Sequence, residues 1–126
     1  MQNAIESKSF DFAVRIVNLY KFLYFEQKES VMSKQVLKSG TSIGANVNEA
    51  QKAQSMADFA TKMNIALKEA NETLYWIRLL HRTNYINDKE YDSISRDANE
   101  LVSILTSICK TSHKHKRSDD DSEKQN

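Results

Sequence analysis

Residues 59–81 read FATKMNIALKEANETLYWIRLLH. Phe59, Met63, Ala66, Ala70, Leu74, Ile77 and His81 recur every three or four positions, with Leu67 and Leu80 beside them. That spacing returns side chains to one face of an α-helix, whereas a strand would alternate at every second residue. A helix with one apolar face has to bury it against other elements. Ser55 to Asp58, just ahead, form a capping box with Asp in place of the preferred Glu. The spacing therefore predicts a helix from Ser55 to about Thr83.

The same reading extends in both directions. Upstream, Val36, Gly40, Ile43, Val47 and Ala50 keep a four-three phase, which predicts a helix from about Ser33 to Gln54. Before it, Ala13, Ile16, Val17, Tyr20, Leu23 and Tyr24 form a stripe that predicts a helix from about Ser7 to Glu26. Downstream, Tyr91, Ile94, Ala98, Leu101, Leu105 and Ile108 predict a fourth helix to about Thr111, with Asp88 as its N-cap. The polar stretches Gln27 to Ser33 and Asn84 to Asn87 are the turns. Short connections force antiparallel neighbours, so the expected fold is all-α, an up-down-up-down four-helix bundle.

Composition agrees. The chain has 126 residues and weighs 14.5 kDa, the size of one domain. With 0 prolines and 2 glycines it lacks the turn residues of a β-rich fold and the glycines of a phosphate-binding loop. After Ser112 no apolar residue remains, so residues 1–112 are expected to form the bundle and His113 to Asn126 a disordered polar tail. The single Cys109 cannot close an internal disulfide, Met1 to Glu6 lack an apolar signal core, and no apolar run approaches a membrane span. A cytoplasmic protein with no membrane partner is expected.

Two features ask for an explanation. Gly40 and Gly44 stand one turn apart inside a helix, at a cost of about 1 kcal/mol each relative to Ala. The helix either starts only after Gly44 or runs through both and meets a neighbour closely there. The unbroken seam phase favours the second. The first helix is also richer in apolar residues than one core face needs: Phe12 and Leu19 flank its stripe on one side, Phe10 and Phe25 on the other, and Phe22 lies opposite. These five are the candidate subunit interface.

No cluster spells out a reaction. A carboxylate-bridged di-metal site would need Glu-x-x-His pairs, and the chain has none. Glu49, Glu69 and Glu72 could perform acid-base or metal chemistry, but they lack a nucleophile or His partner at helical spacing and are expected to be structural. Cys109, His113 and His115 match no closed zinc pattern, and Cys109 is expected to be buried. Tyr75 and Trp76 could stack on a base, or belong to a core or interface. No cofactor is expected, and no enzymatic activity.

Charge is nearly balanced, with 18 Lys and Arg against 17 Asp and Glu. Met1 to Arg82 carries 11 cations against 8 anions, and Thr83 to Ser112 carries 3 against 5. In an assembly of several copies, Arg15, Lys21, Lys34, Lys38, Lys52, Arg78 and Arg82 would be repeated around the molecule and could contact RNA or DNA.

One resemblance is specific. Ser39-Gly40-Thr41-Ser42-Ile43-Gly44-Ala45-Asn46, Asn48-Glu49-Ala50, Ser55 with Asp58-Phe59, Lys62, Ile65 to Ala70, Glu72-Thr73 and Tyr75-Trp76 together resemble the bacterial four-helix-bundle proteins encoded in intervening sequences of 23S ribosomal RNA genes. That family includes accessory proteins of diversity-generating retroelements. The resemblance covers about Phe10 to Ile108. It implies an antiparallel bundle, a homopentamer, and a nucleic-acid connection that is strongest in the retroelement branch. There the accessory protein is a basic pentamer working with a reverse transcriptase, whereas this chain is nearly neutral. No catalytic residues carry over. The motif positions Gly40, Gly44, Asn46, Glu49, Asp58, Glu69, Glu72 and Trp76 are expected to serve packing and assembly. The expected function is a non-enzymatic homo-oligomeric assembly or adaptor protein with a protein partner. The alternative is a nucleic-acid-binding accessory factor.

Overall fold

Asn3 starts the first helix, its side-chain oxygen accepting the Glu6 N–H at 3.0 Å. Helix α1 then spans Ala4–Lys21, beginning earlier than the apolar stripe implies because the cap lies four residues ahead of the expected start at Ser7. In this computed structural model the backbone is described for residues 3–125 and the side chains for residues 3–113. The end of α1 widens into one π-helical turn, Phe22–Glu26, where the Gln27 N–H reaches the Phe22 carbonyl at 3.1 Å. Lys28, with φ of 58°, then turns the chain.

Helix α2 spans Met32–Ala50, α3 Met56–Arg82 and α4 Asp88–Gln125. Ser55 caps α3 as expected, accepting the Asp58 N–H at 3.0 Å. The cap of α4 is one residue earlier than expected. Asn87, not Asp88, accepts the Glu90 N–H at 2.8 Å, and Glu90 accepts the Asn87 N–H at 3.0 Å. The backbone of α4 continues to Gln125, so residues 113–125 of the segment expected as a disordered tail prolong the helix, and Asn126 lies outside the described residues. The segment has neither Gly nor Pro to interrupt propagation.

Cross-helix contacts join the helices in an antiparallel order. Ser39 and Thr73 join α2 to α3, with the Thr73 hydroxyl donating to Ser39 Oγ at 2.9 Å. His81 meets Asp88 between α3 and α4 at 2.7 Å. Arg15 meets Asp97 between α1 and α4 at 2.6 Å. Each helix packs closely on its sequence neighbour, while α1 and α4 touch more sparsely.

All five expected α2 seam positions are buried. In α4, Ile94, Ala98, Leu101 and Leu105 are buried, and Tyr91 and Ile108 flank them. In α3 the core line runs through Ala60, Thr73 and Leu80, while Phe59 and Leu74 pack at its edge. In α1 it runs through Ile5, Ser9, Phe12, Ile16 and Leu23, rotated from the stripe read in the sequence. The glycines of α2 cause this rotation. A Cβ on Gly40 would lie 2.7 Å from Ile16 Cγ1, and one on Gly44 would lie 3.2 Å from the Ser9 carbonyl oxygen. The bare backbone of α2 draws the Ser9 and Ile16 edge of α1 inward. Helix α2 runs unbroken through both positions.

Candidate functional site

The structure separates the expected interface residues. Phe12 is 1% exposed and belongs to the core. Leu19 and Phe22 pack against the core rather than facing away from it. Ile86 of the α3–α4 turn is buried and lines the same cleft as Leu19 and Phe22. Phe10 and Phe25 do face solvent, at 68% and 60%, and Val14 on the same helix is exposed with them.

Leu19, Phe22, Ile86 and Ile94 floor a cleft of about 510 Å³ between α1 and α4. Arg15, Asn18, Lys89, Glu90 and Ser93 complete its rim. The sparse packing of α1 on α4 leaves it open. Its one strong electrostatic feature is internal. The Arg15 guanidinium donates to Asp97 Oδ2 at 2.6 Å, to Ser93 Oγ at 3.0 Å and to the Ser93 carbonyl at 3.3 Å. Arg15, expected as a nucleic-acid contact, is therefore tied to α4, with its side chain still partly exposed. Lys8 and Glu100 add a second bridge along the same seam at 3.0 Å.

Among the described residues, Arg15 is the one member of the seven candidate contacts that has an ion-pair partner. Lys34 lies over the Tyr24 ring, 5.8 Å from its centroid. Lys34 and Lys38 lie in the N-terminal half of α2, and the Ser39–Thr73 register brings that half beside the C-terminal half of α3, where Arg78 and Arg82 stand. Lys21 at the end of α1 points to the same end of the bundle, while Lys52 sits at the opposite end, after α2. The seven do not form one patch. Arg78 and Arg82 do come together with Tyr75 and Leu79, lining a shallow depression on α3.

The motif residues also divide. Gly40 and Gly44 admit α1, as described above. Asn46 donates to the Ser42 carbonyl at 2.8 Å within its own helix. Glu49 pairs with Lys62 across α2 and α3 at 3.2 Å. Asp58 sits in the first turn of α3. Glu69 is half-buried, and its carbonyl accepts the Thr73 hydroxyl at 2.7 Å. Glu72 accepts the Trp76 indole N–H at 3.4 Å. Glu49 and Glu72 are thus engaged by different partners. Cys109 is half-buried at the core edge, and burial pushes its thiol up from the ordinary value. No described helix is long and apolar enough to cross a membrane.

Sequence spacing gave no sign of the Arg15–Asp97 and Ser39–Thr73 contacts, which join residues far apart in the chain. It also missed Glu29. Its carboxylate is buried and accepts the N–H groups of Val31, Met32 and Ser33 at 3.0, 2.9 and 2.7 Å, closing the start of α2. Burial pushes its pKa up, but the three backbone donors outweigh this and hold it below the ordinary value. The signal was present as an acidic residue four positions ahead of the seam helix.

Comparison with known proteins adds a family. A family model described as 23S rRNA-intervening sequence protein matches residues 1–107. No curated protein matches. The chain is similar to a protein of unknown function from the S23 ribosomal protein family of Bacteroides thetaiotaomicron, whose crystal structure was solved at 1.70 Å. The two are 64% identical and superpose with a TM-score of 0.84, over 86% of this chain and 96% of that one.

Proposed function

Because this chain belongs to the 23S rRNA-intervening sequence protein family, we propose that it acts as a non-enzymatic, homo-oligomeric assembly or adaptor protein. It works in the cytoplasm and presents a repeated surface to a protein partner. The observation that carries this reading is the outer face of α1. The core is filled without Phe10, Val14 and Phe25, yet all three are exposed on that helix and its π-helical end. Large apolar side chains left in water although the core does not use them suit a contact with another molecule. A second copy covers them, and the copies close into the ring of five that the sequence resemblance implies.

Native mass spectrometry tests it. Wild type is expected to fly as a homopentamer, and Phe10→Ser/Phe25→Ser as a monomer with unchanged helicity. A monomeric wild type, or a variant that assembles normally, overturns the assignment.

A second reading, a nucleic-acid-binding accessory factor, is favoured by one observation. Lys34, Lys38, Arg78 and Arg82 have no ion-pair partner among the described residues. A ring would repeat these cations around the assembly.

A further inference from the structure

Opposite its buried seam, α3 carries a second line at alternating spacings of three and four: Thr61, Asn64, Lys68, Asn71, Tyr75, Arg78 and Arg82. Every one of them is exposed. The line is an outer face of the helix running nearly its whole length, roughly 30 Å at 1.5 Å per residue. It contains three cations and no carboxylate. Lys68, Arg78 and Arg82 have no ion-pair partner among the described residues, whereas Lys62, off this line, is paired with Glu49. Glu72, at the flank, is turned to the Trp76 indole.

Tyr75 stands between Lys68 and Arg78 on the line and is 54% exposed. Its ring meets Trp76 edge-on, with centroids 5.1 Å apart and planes at 78°. Trp76 packs against the core and so braces the ring, which remains 54% exposed. Two depressions punctuate the same face. One is lined by Tyr75, Arg78, Leu79 and Arg82, the other by Thr61, Asn64, Lys68 and His113 among others.

We propose that this outer face of α3 is a single-strand nucleic-acid platform, with Tyr75 stacking on an unpaired base and Lys68, Arg78 and Arg82 neutralising the flanking phosphates. The proposal gives the second reading above its site and its mode of binding. A line of cations without anions suits a polyanion. The exposed ring set among them distinguishes a nucleic acid from an acidic peptide, because every base offers a π-face for the ring. A base held in a duplex has no free face to give, so the strand is single.

The test is fluorescence anisotropy of the full chain with fluorescein-labelled oligouridylate and oligothymidylate, over a salt series. Binding to either strand is expected, weakening steeply with salt. Tyr75→Ala is expected to weaken it about tenfold with little change in salt slope, and Tyr75→Phe to restore it. Arg78→Gln and Arg82→Gln are each expected to lower the salt slope by about 0.7. All of these side chains are exposed, so thermal melts and native mass should match wild type. Binding that ignores all these substitutions overturns the site while leaving the nucleic-acid reading intact. No binding at low salt overturns both. Equal competition by duplex DNA or by polyglutamate overturns base stacking in favour of generic polyanion binding. Loss of assembly in the α1 variant without loss of binding separates this face from the self-association surface.

Discussion

Gly40 has no room for a methyl group. The contact it would make is with the branch carbons of Ile16, which are held close to the α1 backbone and cannot swing away. Gly→Ala inside a helix ordinarily gains about 1 kcal/mol. Here overpacking costs about 1–3 kcal/mol, so Gly40→Ala is expected to destabilise despite its better helix propensity. Ile16→Ala, which costs about 2–5 kcal/mol alone, removes the obstructing atoms. The double variant should therefore lose less than the two singles combined, as read from urea denaturation. Strict additivity would refute the contact. Glu29 supplies a prediction of a different kind. Its folded pKa lies below its unfolded value, so its contribution is complete above the ordinary glutamate range, near 4.5, and is lost as pH falls through the folded value. Glu29→Gln is expected to cost about 1–2 kcal/mol at neutral pH. The gap from wild type should close as the pH is lowered below that range, and a gap that persists unchanged would exclude the carboxylate as its cause.

At the scale of elements, the starts of the helices were more legible than their rotation. Ser55 was readable because a capping residue makes its bond within one turn. Asn87 was also readable in principle, since Asn-x-x-Glu is a capping box, but Asp88 is a plausible cap too and sequence alone does not rank them. The structure separates the two by giving Asp88 a different partner. Its carboxylate meets His81 Nε2 at 2.7 Å, and the His81 ring stacks on Tyr91 with centroids 4.2 Å apart. Asn87→Ala should therefore cost about 1 kcal/mol in a thermal melt, the usual loss for an N-cap. Asp88→Ala should cost less, because its carboxylate is nearly fully exposed. The reverse order would return the cap to Asp88. Helix α1 shows why rotation was harder to read. Apolar residues surround much of it, so several stripes fit the same sequence, and the α2 glycines select the one that brings Ser9 and Ile16 inward.

For the whole molecule, self-association and folding draw on different residues. Phe12, Leu19 and Phe22 were expected at the interface but serve the core, so substituting them would confound assembly with stability. Phe10 and Phe25 are free of that ambiguity. This is why their double substitution is expected to change native mass and leave helicity unchanged. The α1–α4 seam has a related consequence. It is held by polar bridges over an open cleft rather than by continuous packing. Partly exposed pairs contribute little each, so α1 depends chiefly on its fit to α2.

The sequence by itself determined the helical class, the number of helices, the first and last turns and the family. Periodicity, capping and the shortage of Gly and Pro act within a few residues, and each leaves a mark that can be read locally. Only the tertiary structure decided which apolar residues of α1 face inward, that Arg15 pairs with Asp97, and that Lys68, Tyr75, Arg78 and Arg82 share one exposed face with no ion-pair partner among the described residues. The last is periodic in the sequence, but a periodic polar face becomes a candidate surface only when no neighbouring chain segment covers it or neutralises it. Covering and neutralising are relations between residues distant in sequence, and the packing of the four helices sets them.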